Sequence, residues 1–428
     1  MQKNLSFSLG RYGASMPQMP DSLPSLVELL TRNVPRSCRA AVACSVFPAL
    51  ATHLHDVRFR LIDGTEDKEP TFMTVLMAKQ SSGKSAVNKP IEYILRDITE
   101  RDQVNRAIEK EWLQAVRAAG SRQKPERPQG LVIQVLSSDM TNAAFVQRLA
   151  DAGGRFLYTN LEEIELLNNL KTSGTKDVGK IICLAFDNSY YGQERVSASA
   201  ITDRVPIRWN WNASTTIQKG LGFFKSRLVD GTLSRLSFCT IVRDDDEKFK
   251  FGQYDESYAA ELKPYIDRLN TTHGLVVCNE ALTMAERMHE KCMRWALESD
   301  DDAYRELAHR AVTIAYMKAM VLYIADGCRW STDIERFAEW SLQYDMWCKC
   351  HFFGNQIREA QALETVSRPG ERKNLYDLLS DEFRETTLRD LRHELGLPEE
   401  CKALLRLWKH RNMITYDPRT GIYTKTRG

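Results

Sequence analysis

The run Ala78-Lys79-Gln80-Ser81-Ser82-Gly83-Lys84-Ser85 (AKQSSGKS) has the residue types of a phosphate-binding loop. Such a loop cradles phosphates with backbone N–H groups and the positive end of the helix that follows. In this pattern Lys84 reaches the β- and γ-phosphates, and Ser85 offers its hydroxyl to Mg²⁺. Gly83 lets the backbone come close to the phosphates. The expected ligands are therefore ATP and Mg²⁺. One residue departs from the usual pattern: Ala78 stands where a glycine begins it, which is free of strain only if φ there is negative. A GKS at a helix start can also arise by chance. Context favours the loop, because a β-rich run (TFMTVLM, 71–77) precedes it and a helical stretch follows.

Three further groups could complete the chemistry. A phosphate loop needs an acid at the tip of a neighbouring strand, to hold Mg²⁺ through water and to activate the attacking water. The β run at 155–160 leads into Glu162-Glu163. Glu162 is the metal-side candidate, and either glutamate could be the base. An acidic first helical turn is the other reading. Asn212 ends the strand expected at 205–212, where a polar side chain could touch the γ-phosphate; Thr215 and Thr216 come next. A strand-end turn is the alternative there. Arg235 closes DGTLSR (230–235), directly before the β run LSFCTIV. It could serve a neighbouring subunit's nucleotide as an arginine finger, or simply pair with a local aspartate. Arg195 and Arg204 flank this region without a stronger case.

These residues need an α/β scaffold. Strands are expected at 57–62, 71–77, 131–136, 156–159, 205–212 and 236–242. Helices are expected on both sides of Pro35, over 85–119, over 140–150 and over 164–170. Alternation of this kind indicates a sheet with crossover helices. Residues 255–365 read as helical with no clear strand. The expected division is a helical arm at 1–65, a P-loop core at 66–250, a helical extension at 251–366 and a terminal module at 367–428, with SRPGER (367–372) as linker.

Composition removes several classes. Lys and Arg number 59 against 57 Asp and Glu, so the net charge is +2, which excludes a polybasic protein that binds nucleic acid over its whole surface. The most apolar run, residues 40–51, is too short to span a bilayer and contains Pro48. The start of the chain lacks the apolar segment of a secretory leader, and ten irregularly spaced cysteines suit reduced thiols. A cytoplasmic protein without a membrane partner is expected. Cys348-x-Cys350-His351 lacks a second ligand pair, and His289, His309, Trp330, Trp340 and Trp347 read as helix-packing residues.

The terminal module reads as a winged helix: helices at 375–383, 388–395 and 398–410, then a hairpin of 413–416 and 422–426 across DPRTG. Cys401, Leu404, Leu405 and Trp408 share one helical face. From residue 401 to 428 there are seven basic residues and one acid, a net of +6. Arg406, Lys409 and Arg411 lie off the apolar face, and Arg419 and Lys425 belong to the wing, so all five are candidates for DNA phosphates. A protein-contacting winged helix is the alternative.

Five segments occur in order: AKQSSGKS, SSDMTNAAFVQRLADAGGRFLYTNLEEIELL, AFDNSYYGQERVS, RWNWNASTT and DGTLSRLSF. Over Thr71 to Val242 the chain thereby resembles a family of mobile-element and phage P-loop ATPases of replicative-helicase type. The resemblance implies an AAA+ or hexameric-helicase-like fold and ATP-driven DNA unwinding in replication of such an element. It implies ATP–Mg²⁺ at Lys84 and Ser85, an acidic pair at Glu162 and Glu163, a sensor at Asn212 and a finger at Arg235. The expected partners are single-stranded or forked DNA, further copies in a hexameric ring, and a primase or other replication proteins. Ala78 and the Glu-Glu pair depart from the family pattern. They support a rival expectation, a DNA-binding initiator or helicase-recruiting adaptor with a slow site. A mobile-element regulator is the third.

Overall fold

The structure, a computed structural model, describes residues 15–426 apart from 63, 65, 66, 120–122, 124, 173–176, 194–202, 244, 245, 300, 301, 368–374, 395, 396 and 398. Arg195 and the linker at 368–372 lie outside the described residues.

Five strands form the central sheet: β1 (Met73–Ala78), β2 (Val135–Leu136), β3 (Leu157–Leu161), β4 (Trp209–Thr216) and β5 (Ser237–Cys239). All neighbours pair in parallel, in the order β2-β3-β4-β1-β5. The sequence dictates this burial. β1 is buried at every position, as expected of a near-continuous apolar strand covered on both faces by crossover helices. Those helices include Asn142–Ala152 and Val178–Phe186. Trp209 and Trp211 of β4 are fully buried, and Phe145 packs on Trp209 at 4.8 Å between ring centroids. The indole N–H of Trp209 donates to Thr159 Oγ1 at 3.0 Å, so the large ring is buried without an orphaned donor.

Register fixes which ends meet. Ala78 lies opposite Thr216, Leu161 opposite Ala213, and Thr74 opposite Ser237. The C-terminal ends of β1, β3 and β4 therefore share one edge of the sheet. The start of β5 lies near the start of β1, at the other edge.

One apolar core runs from Leu26 to Ile357, so the N-terminal helices Ser25–Thr31 and Arg36–Ser45 and the long helices Asp302–Ala325 and Thr332–Ser367 share it with the sheet. The polar link at β5 is a buried cluster. Asp345 accepts from the Phe238 N–H at 2.7 Å and pairs with Lys349 at 2.7 Å, and Lys318 donates to Ser237 and Ser341. A second, separate core spans Leu375 to Tyr423. It joins helices Leu375–Leu378, Glu385–Glu394 and Lys402–His410 to an antiparallel sheet in which Ile422–Lys425 lies between Glu382–Phe383 and Ile414–Asp417.

Several expectations need correction. The strand expected at 205–212 is two elements. Asp203–Pro206 pairs with Tyr190–Gln193 in a side hairpin, and β4 begins only at Trp209. The strand expected at 57–62 is not in the central sheet. Val57–Arg60 pairs with Asp67–Lys68 and, in parallel, with Gly274–Val276, a strand inside the region read as purely helical. The helix expected over 85–119 is divided into Lys84–Val87, Asn88–Ile94 and Arg96–Ala119, with Pro90 in the first turn of the second piece, where its missing N–H costs nothing. Residues 164–170 are helical as expected, in the 3₁₀ form, whereas Glu382–Phe383 is a strand rather than the end of a helix.

Candidate nucleotide site

The loop leaves β1 at Ala78, whose φ is not positive, so its methyl group meets no backbone penalty. The left-handed conformations fall at Ser81 (φ 58°) and Gly83 (φ 88°). For Gly83 this carries no steric cost; for Ser81 it costs roughly 1–2 kcal/mol. Lys84 opens the short 3₁₀ turn Lys84–Val87, and its ammonium donates to the Lys79 carbonyl at 3.0 Å, closing the loop on itself. Ser82 is buried, and its Oγ has no hydrogen-bond partner among the described residues. An orphaned buried hydroxyl costs about 1–3 kcal/mol, and an anionic oxygen seated at the loop would relieve it. Lys79, Gln80, Ser81 and Ser85 are exposed. The orphaned hydroxyl, the left-handed glycine and the lysine together suit a phosphate chain, and Ser85 is open to a Mg²⁺ held by its oxygens.

The acidic pair follows β3, which is not adjacent to β1 as expected: β4 stands between them. Even so, the register brings Glu163 to the loop edge. Thr215 Oγ1 donates to Glu163 Oε2 at 3.3 Å, and Thr215 is the residue paired with Met77. Lys219 Nζ lies 3.5 Å from Glu163 and 3.9 Å from Glu165. Glu162 is exposed and carries no side-chain bond among the described residues. The two glutamates are thus unlike: Glu163 is oriented and Glu162 is free.

Asn212 does not stand at a strand tip. Because β4 runs to Thr216, Asn212 lies in mid-strand opposite Thr74, buried, and both ends of its amide are engaged. Its Nδ2 donates to the Ser45 carbonyl at 2.7 Å, and its Oδ1 accepts from Tyr158 at 2.9 Å. The tip position next to Ala78 belongs to Thr216, whose Oγ1 accepts from the Lys219 N–H to cap the next helix. Thr215 and Lys219 are the residues that sequence reasoning undervalued; only the four-residue shift of β4 reveals them.

Arg235 lies at the other edge. It ends a short turn just before β5, level with the residue preceding β1, so it is roughly 20 Å along the strands from Ala78. Its guanidinium is tied down: to Asp187 at 3.2 and 2.7 Å and to the Gly231 carbonyl at 3.0 Å. Around it are Arg310, which donates to Ser234, and Lys68, which donates to the Phe186 carbonyl and lies over the Phe186 ring at 4.2 Å. Burial pushes the Lys68 ammonium down to about 8, with Arg235 and Arg310 adding to the effect. Arg204 is exposed above the Tyr190 ring.

The five C-terminal cations are not alike. Lys409 sits 4.1 Å over Tyr416, and Lys425 donates to the Leu379 carbonyl at 2.6 Å and covers Tyr376. Arg406 and Arg419 are exposed. Arg411 is half-buried beside the turn that leads to the hairpin.

Among the described residues, no group of three His, Cys, Asp or Glu is placed to hold a metal ion, and no helix is long and apolar enough to cross a membrane. Cys348 is buried, His289 and His309 stand edge to face on the surface, and Trp340 stacks on Tyr344 at 5.2 Å.

No family model matches the sequence, and no curated protein matches it. Among solved structures, one similar chain is described as "SCCmec type IV Cch - active helicase". The identity is 13% and the TM-score 0.33, over 94% of this chain and 66% of that one. A likeness that loose leaves the fold to be read from this chain's own elements. They form a mixed α/β protein whose five-stranded parallel sheet is consistent with a P-loop-like core.

Proposed function

We propose that this chain is an ATP-dependent DNA helicase or translocase that serves replication of a mobile genetic element or phage, working as a ring, most simply a hexamer. One observation carries the reading: the register of β1, β4 and β3 gathers the phosphate loop, Thr215 and Glu163 at a single edge of the sheet. When bound, ATP–Mg²⁺ supplies a γ-phosphoryl group open to attack by water. Lys84 leaves the Lys79 carbonyl to meet phosphate charge, and Ser82 and Ser85 offer hydroxyls. Glu163, oriented by Thr215, takes the proton from the attacking water. Arg235 is too far along the strands to serve its own loop, so its use as a finger requires a neighbouring copy. The terminal module supplies DNA contacts; its order of helix, strand, two helices and two strands supports a winged-helix reading.

The ion pair of Lys219 with Glu163 favours a second reading, a slow site on a DNA-binding initiator or adaptor, because Lys219 already engages the carboxylate that would receive the water's proton. One measurement separates the two: ATP turnover with and without single-stranded DNA, for wild type and Lys84→Ala. The motor reading expects DNA-stimulated turnover that falls by about 10²-fold or more in the variant. Turnover of the wild type no faster than Lys84→Ala, with ATP still bound, would sink the motor and leave the adaptor.

A further inference from the structure

We propose that Phe249 is an internal occupant of the phosphate seat, and that ATP binds by displacing its ring from Gly83. This inference rests on the nucleotide reading above.

Gly83 is the loop residue whose backbone a phosphate must approach. A Cβ placed on it would fall on the tip of the Phe249 ring, with Cε1 and Cε2 at 3.1 and 3.3 Å. The ring therefore fills the space directly above Gly83. A phosphate and an aromatic ring cannot share that space, and a ring edge offers a phosphate nothing in exchange for its water.

The ring is not there to build the core. Phe249 and Phe251 are 36% and 43% exposed, and neither belongs to the apolar core. They meet edge to face at 5.4 Å, and the Arg243 guanidinium stands 5.7 Å from the Phe249 ring centre. A half-exposed aromatic pair recovers only part of its burial energy, so it is held weakly enough for a charged ligand to expel. The backbone on either side is held firmly. The Glu247 carboxylate accepts from the N–H groups of Arg36 and Ser37 at the start of a helix. The Gly252 N–H donates to the Asn33 carbonyl at 2.8 Å, and Asn33 Nδ2 donates to the Gln253 carbonyl at 2.6 Å. Two anchors with four residues between them hold the ring over the loop while letting it swing. Beside the ring, Lys84 is turned back onto the Lys79 carbonyl.

Calorimetric titration of the full chain with ATP and with inorganic tripolyphosphate tests this. If the seat is free about one-fifth of the time, Phe249→Ala should bind both ligands about fivefold tighter than wild type. Equal gains are expected because the ring blocks phosphates, not the base. ATP weakened with tripolyphosphate unchanged would mean that the ring stacks on the base, and overturns the proposal. ATP bound equally by both proteins overturns it as well. The contact itself is tested without nucleotide: Gly83→Ala should lower Tm more in wild type than in the Phe249→Ala background, and equal losses overturn the proposal. Neither ligand binding either protein, with the Tm coupling present, removes the nucleotide reading and the inference with it, an outcome distinct from equal ATP binding.

Discussion

At the edge of the sheet where β1, β3 and β4 end, polar groups have capacity to spare. Among the described residues, Ser82 Oγ is buried without a partner, Glu162 is free, and Lys84 has only a carbonyl within its own loop. At the edge where β5 begins, the polar groups are already engaged within the fold. Arg235 holds Asp187 through two bonds, Arg208 pairs with Glu69, and Lys68 is sealed against Phe186. Unpaired polar groups in a fold cost free energy, so they persist where a ligand will satisfy them; matched charges need no ligand. On that argument the first edge suits a ligand, and the second holds its place. The strands keep the two roughly 20 Å apart in one copy. Any chemistry that needs both edges must recruit a second copy.

The sharpest way to break that contrast is at Arg235. If a neighbouring copy's nucleotide draws it away from Asp187, Arg235→Ala should reduce DNA-stimulated turnover by about 10³-fold or more. Mixing Arg235→Ala with Glu163→Ala chains should restore part of the rate, since each lesion then lies in a different half of the same site. No recovery on mixing, with assembly intact, would leave Arg235 as a structural partner of Asp187.

The next effect separates the two glutamates. Glu163→Gln should reduce turnover by about 10²-fold or more, because it removes the oriented base. Glu162→Gln should change it by no more than a few-fold. Nearly equal losses would mean that the Thr215 bond does not select the base.

The loop at the first edge was legible in the sequence because its pattern is local. AKQSSGKS sits between a β run and a helix, and Ala78 meets the negative φ its methyl group demands. Glu162-Glu163 was visible for the same reason, a β run ending in acids. What the sequence did not disclose depends on pairing partners far along the chain. The run through 205–212 reads as one strand, yet Pro206 lacks an N–H and closes an edge hairpin, so β4 starts later and Asn212 moves from the tip into the core. Gly274–Val276 is too short to show a period of two. Nothing local to Phe249 in the sequence says that a turn anchored on Asn33 and Arg36 carries it to Gly83.

The second edge has a signature in pH. Lys68 titrates at about 8 in the fold against 10.5 when unfolded, because burial penalises its charge. Between these values the unfolded chain binds more protons than the folded one, so this group makes stability rise with pH across that window. Relative to Lys68→Met, wild type should gain up to about 3 kcal/mol from pH 8 to 10.5, at 1.36 kcal/mol per unit. A flat difference in denaturant midpoints would mean that Lys68 is solvated and the edge less tightly sealed.

The contrast between matched and unmatched charge recurs, more weakly, in the C-terminal module. Lys409 and Lys425 lie on tyrosine rings, and Lys425 is also bonded to a carbonyl, whereas Arg406 and Arg419 are exposed without such a contact among the described residues. If lack of engagement within the module marks the cations that meet DNA, Arg406→Ala should lower the slope of log affinity against log salt by about 1, with no change in Tm. Lys425→Ala should instead lower Tm, because it uncovers Tyr376 and leaves the Leu379 carbonyl without its donor, and should leave the salt slope nearly unchanged. The net charge lost is the same in both variants, so a general attraction to the basic module would shift both slopes equally. Only a difference between them ties DNA contact to the cations that the fold has left unused.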